Sequence, residues 1–142
     1  MRMPSVQEIV AASGVTQQKV REVTAFFYAR VSIDPVLGPV FNSVIAEEEW
    51  PAHIEKVSRF WDLAFRLDRN YAAGGFMAAH LKHAHIQQEH THRWLQLFEE
   101  ALADVCNARE AAGFRAVANA MMENVRFGLR RRDKILANAA AS

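Results

Sequence analysis

Apolar residues recur at steps of three and four along nearly the whole chain, and that spacing commits it to helices. Between Thr16 and Ser32 the stripe is Val20, Val23, Phe27 and Val31. A second stripe runs Trp50, His53, Ile54, Val57, Phe60, Trp61, Ala64. From Gln88 to about Cys106 it is Trp94, Phe98, Leu102 and Val105, with Leu97 and Ala101 beside it. A last helix is expected from near Ala108 to Asn138 through Phe114, Ala118, Met121, Val125 and Leu129. No segment reads as a β-strand, and there is no internal repeat or low-complexity linker. The expected fold class is all-α.

The punctuation agrees with that period. Ser5-Val6-Gln7-Glu8 has the spacing of a capping box, opening a short helix that Gly14 closes. Asp34-Pro35 ends the helix begun at Thr16, because the residue before proline is pushed out of helical geometry. Residues 37–41, with Gly38 and Pro39 inside, read as a tight corner. The acidic run Glu47-Glu48-Glu49 precedes Trp50-Pro51, and Pro51 suits the first turn of a new helix. Residues 70–75 read as a loop and 76–84 as a short helix. With 142 residues, the length prior gives one domain spanning 1–142, in which 1–15 form a short N-terminal helix and 16–138 the core.

Composition narrows the function classes. Lys and Arg number 17 against 16 Asp and Glu, so charge does not argue for a nucleic-acid surface. Arg130-Arg131-Arg132 reads as a solvated helix turn. Cys106 is the one cysteine, which excludes a disulfide framework, a cysteine-rich metal site and covalent haem attachment through paired cysteines. Near a helix end it reads as a small hydrophobe. No stretch approaches 18 uninterrupted apolar residues and no signal-peptide core is visible, so the expectation is a cytoplasmic protein without a membrane partner.

Histidines are dense between His80 and His92, which first suggests zinc. No His-Glu-x-x-His pattern is present, and the spacings do not gather three ligands with supporting carboxylates. His83, His85, His90 and His92 read as surface or loop residues. His80 differs, because Met77 and Leu81 put it on the apolar side of its segment; His53 lies on the apolar stripe beginning at Trp50. Each alone could be a core histidine bonded to a backbone carbonyl. A buried polar group without a partner costs about 1–3 kcal/mol, and Tyr28 and Trp94 raise the same question as the two histidines. One shared partner answers for all four: an iron porphyrin, with an imidazole on one side and hydrogen-bond donors on the other.

The ordered fragments then become specific. Phe26-Phe27-Tyr28-Ala29-Arg30-Val31 and Asp34-Pro35-Val36-Leu37-Gly38-Pro39-Val40-Phe41 resemble the opening of a truncated haemoglobin. Glu49-Trp50-Pro51-Ala52-His53, Phe60-Trp61, Met77-Ala78-Ala79-His80-Leu81 and Arg93-Trp94-Leu95-Gln96-Leu97-Phe98 are similar to the group III branch. The resemblance covers roughly residues 20–102. It departs from the branch at residues 65–70, which lack a glycine-rich turn, and after His80, where a common proline is missing.

The resemblance implies a truncated globin-like helical sandwich around non-covalent haem b. His80 matches the proximal iron ligand, and Tyr28, His53 and Trp94 match the distal residues. Phe41 matches the phenylalanine that packs on the porphyrin, and Lys56 a position that reaches a haem propionate. Val57 would line the distal wall, with Met77 beside the proximal histidine. Phe27, Phe60 and Trp61 read as core, with haem contact added. The implied function is reversible binding of oxygen and other diatomic gases (nitric oxide, carbon monoxide), with nitric oxide chemistry if a reductase supplies electrons. The competing readings are a haem enzyme of peroxidase or nitric oxide dioxygenase type, and a helical interaction protein without haem. No carboxylate lies three or four residues before His80, so a peroxidase-like, strongly basic imidazole is not supported.

Overall fold

The computed structural model describes residues 2–67 and 86–141. The expected loop over 70–75 and short helix over 76–84 lie outside the described residues. Among those residues every regular element is a helix: α1 (Val6–Ala11), α2 (Gln17–Ile33), α3 (Gly38–Asn42), a 3₁₀ turn (Glu47–Glu49), α4 (Trp50–Ala64), α5 (Gln88–Val105) and α6 (Ala108–Ala141).

Local chemistry sets most of the ends. Ser5 Oγ accepts from the Glu8 N–H at 3.1 Å and caps α1. The expected return bond of a capping box is replaced, because the Glu8 carboxylate is held by Arg2 at 2.8 Å. Thr16 caps α2 by accepting from the Lys19 N–H at 3.1 Å. A full reciprocal box opens α6, where Asn107 and Glu110 each accept the other's backbone N–H at 2.9 Å. Gly14 has a φ of +71°, a left-handed turn that a Cβ would strain, and it carries the chain from α1 to α2.

The expected corner at 37–41 is instead the short helix α3. Its start is organised by Asp34, whose Oδ2 accepts from the Val36 and Leu37 N–H groups at 3.1 and 3.0 Å. The last helix runs three residues past Asn138.

α2 crosses both α4 and α5, α5 lies on α6, and α1 packs on α6. Phe27, Trp61, Phe98 and Phe114 are buried where these helices meet. Their rings form a continuous column: Trp61 stacks on Phe98 at 5.5 Å, and Phe114 meets Trp61 at 5.3 Å. Burying such a side chain is worth about 1.5–3 kcal/mol, so this column is the main fastener of the fold.

A polar seam runs between α2 and α4. The Thr24 and Ser58 hydroxyls share a buried hydrogen bond of 2.7 Å, and Arg21 reaches the buried carboxylate of Asp62 at 2.7 Å. The seam fixes how α4 lies on α2, and so where the residues of α4 face those of α2.

Candidate functional site

Four elements send rings to one place. α2 supplies Phe27 and Tyr28, α3 supplies Phe41, α4 supplies Trp50, His53 and Val57, and α5 supplies Trp94. The ring centroid of Tyr28 lies 5.5 Å from that of His53 with planes at 89°, and 6.1 Å from Phe41. Phe27 sits between Tyr28 and Trp94, 4.9 Å from each. Trp94 is backed by Phe98, stacked at 4.8 Å. Thus Tyr28, His53, Phe41 and Trp94, spread over 67 positions from 28 to 94, are neighbours in the fold, and Val57 is buried one turn beyond His53.

Burial pushes the Tyr28 phenol well above its ordinary range, and the hydrogen-bonding pull of the Trp94 indole N–H offsets only part of that. Tyr28 is therefore a protonated O–H at every physiological pH, able to donate. His53 is half-buried, with its Nε2 shielded from solvent. Trp94 carries a donor-only indole N–H.

The remaining candidates divide. Lys56 is exposed one turn beyond His53. Phe60 is half-buried and turns toward Trp61, at 5.7 Å, and toward a separate cavity of about 1000 Å³. That cavity lies among α1, the end of α4 and α6, with Val10, Phe65, Val117 and Met121 in its walls, and it does not touch Tyr28, His53 or Trp94. Met77 and His80 lie outside the described residues. Among the described residues no three His, Cys, Asp or Glu side chains are gathered as a metal site.

Two residues play parts that sequence reasoning missed. His90 lies half-buried at the surface of the first turn of α5, as one of the two expected settings had it, but its Nδ1 also accepts the Gln87 N–H at 2.8 Å as a helix cap. Trp50 stands beside the polar set, 5.8 Å from Tyr28, 5.7 Å from His53 and 6.4 Å from Phe41. Its spacing, three residues before His53, was the available signal.

The donor set fits one face of a haem. It combines a protonated phenol, an imidazole and an indole N–H with apolar walls from Phe41 and Val57, which favours a small uncharged acceptor over an ion.

A family model of bacterial-like globins matches residues 12–128. A group 3 truncated haemoglobin of Campylobacter jejuni is 35% identical over 95 residues, covering 66% of this chain and 74% of the relative. The crystal structure of the group III truncated haemoglobin from Campylobacter jejuni superposes with a TM-score of 0.75 at 30% identity, over 81% of this chain and 91% of that one. The helical order is that of a globin, and globins bind haem. Within that class, the chain belongs to the bacterial-like globin family and its group III truncated haemoglobin branch.

No helix among the described residues is long and apolar enough to cross a membrane.

Proposed function

We propose that the protein holds haem b non-covalently, with His80 as the iron ligand and Tyr28, His53 and Trp94 on the opposite face, and binds oxygen, nitric oxide and carbon monoxide reversibly. The observation that carries this reading is the convergence of Tyr28, His53 and Trp94 from three helices beside Phe41. The haem would supply an iron with one position open to a diatomic ligand.

The chain's own residues would do the rest. Phe41 and Val57 exclude water, so each donor acts in a low dielectric. Tyr28, kept protonated by burial, would donate a hydrogen bond to a diatomic ligand held there, worth about 1–3 kcal/mol. Such retention suits ligand chemistry or sensing better than bulk delivery, and a reductase would be needed for turnover with nitric oxide. Lys56, exposed near His53, is placed here as a partner for a propionate.

Absorption spectra of the purified protein, oxidised, reduced and with carbon monoxide, test this reading. A Soret band that shifts on reduction and again with carbon monoxide is expected, and His80→Ala should abolish stable haem uptake. Purified chain that takes up no added haem would end the proposal, and unchanged haem affinity in His80→Ala would remove His80 as the ligand.

A further inference from the structure

Among the described residues Trp50 has no side-chain hydrogen bond, yet it touches the rings around His53. Its indole meets the imidazole at 5.7 Å with the planes at 89°. Tyr28 meets the same imidazole at 5.5 Å, also at 89°. Among the described residues, two rings brace the imidazole, and both stand perpendicular to it. Trp50 is itself held from behind, stacked on Phe41 at 6.4 Å with planes 23° apart, and it leans on Tyr28 at 5.8 Å. Its backbone is fixed as well, since it opens α4 and is followed by Pro51, whose locked φ suits a first turn.

We propose that Trp50 is a positioning residue that holds the imidazole of His53 against Tyr28, inside the pocket. A half-buried histidine on the first turn of a helix is within reach of solvent by a single χ1 rotation. Rotation away from Tyr28 gives up the perpendicular contacts with both neighbouring rings, and aromatic contacts of this kind have preferred geometries that a smaller side chain does not reproduce. The orientation of the distal imidazole therefore depends on a residue that acts through its ring contacts. The inference deepens the proposed function, and rests on it only for the second of the two measurements below.

The first measurement needs no haem signal. Full-length protein, as purified, is treated with diethylpyrocarbonate, and acylation of His53 is followed by peptide mass spectrometry against the exposed His92 as internal reference. Trp50→Ala should raise the relative rate at His53 about fivefold, the population change expected from losing one aromatic contact. Trp50→Phe, which restores a ring, should return it toward the wild-type value. Should the alanine variant fail to fold, Trp50→Leu keeps apolar bulk without a ring and carries the same expectation. The second measurement is carbon monoxide association after photolysis, which should be faster in Trp50→Ala and near wild type in Trp50→Phe. An unchanged His53 acylation rate in the variants without a ring overturns the inference, even where haem binds normally. Protein without a Soret band would sink the haem reading instead, and the acylation rates would still decide the role of Trp50.

Discussion

Arg93 grips Asp34 with two nitrogens, Nη2 at 2.6 Å and Nε at 3.0 Å from Oδ1, and so ties the α2–α3 corner to α5 one residue before Trp94. The same carboxylate caps the turn into α3 through the Val36 and Leu37 N–H groups. One buried side chain thus sets the position of Phe41, near the end of α3, and of Trp94, one turn after the first buried residue of α5. Arg93, beside Asp34, holds its carboxyl below the usual 3.8; burial works against this, and the two backbone donors add to it.

Asp34→Asn should therefore lower stability by about 2 kcal/mol, the charge-assisted bonds being discounted because Arg93 is one-third exposed. The pH dependence has a definite sign. A carboxyl whose folded pKa is depressed stabilises fully above its unfolded value and loses that contribution as pH falls through the folded one. The gap in unfolding free energy between wild type and Asp34→Asn should be constant near neutrality and close below about pH 4. Urea unfolding at a series of pH values measures it, and a gap independent of pH down to acid unfolding would show that the ion pair contributes nothing.

Gly113→Ala sets two effects against each other. Alanine is the better helix former by about 1 kcal/mol. A Cβ at this position, however, would stand 2.7 Å from Ser13 Cβ and 3.1 Å from a Phe65 ring carbon. Ser13 cannot easily retreat, because its hydroxyl donates to the Val10 carbonyl at 2.7 Å. Overpacking costs about 1–3 kcal/mol, so the substitution should lower the melting temperature despite the gain in propensity. A raised melting temperature would mean that α1 and its corner move aside freely.

The polar seam between α2 and α4 should respond asymmetrically. Asp62 is almost fully buried, with its Oδ2 lacking a hydrogen-bond partner among the described residues, whereas Arg21 is one-third exposed and also reaches Glu55 at 3.2 Å. Arg21→Met strands a buried carboxylate and should cost about 3 kcal/mol. Asp62→Asn leaves Arg21 with Glu55 and water, and should cost nearer 1 kcal/mol. Equal losses in denaturant unfolding would contradict this account of the seam.

How far the sequence revealed all this follows from where each determinant lies. The ends of α2 were legible because Thr16 and Asp34-Pro35 act on their own backbone. The short helix α3 was not, since Gly38 and Pro39 read as a corner, and the carboxylate that organises it is tied down by Arg93, 59 positions along the chain. Tyr28, Phe41, His53 and Trp94 could be singled out as polar or aromatic residues in matching fragments, and the fold does bring them together. Trp50 is passed over despite its spacing from His53, because an aromatic on an apolar stripe looks like core until the crossing of α2 and α4 sets it beside the Tyr28–His53 pair. Phe60, on the same stripe as His53, faces the cavity near α1 instead, because seven residues along a helix is nearly two turns and carries it toward the far end of α4. The capping role of His90 was not legible because imidazole is not a usual cap, and only the geometry of Gln87 shows it acting as one.

Tyr28 and Trp94 should act as a pair. On the proposed reading, Tyr28→Phe removes the donor that burial keeps protonated, and oxygen should dissociate about tenfold faster, equivalent to 1.4 kcal/mol. Trp94 influences that phenol directly, so part of its effect on the ligand passes through Tyr28. Trp94→Phe keeps the packing against Phe27 and Phe98 while deleting the N–H, and should also speed dissociation. The double variant should then fall short of the product of the single effects, by a coupling of about 0.5 kcal/mol or more, as expected of groups in one hydrogen-bonding unit. Stopped-flow dissociation rates for the four proteins close the cycle. The rate for wild type should also stay flat from neutral pH to about pH 9, because the Tyr28 proton is held far above that range. Strict multiplicativity would make Trp94 an independent donor to the ligand, and single variants that dissociate at the wild-type rate would remove both residues from ligand stabilisation.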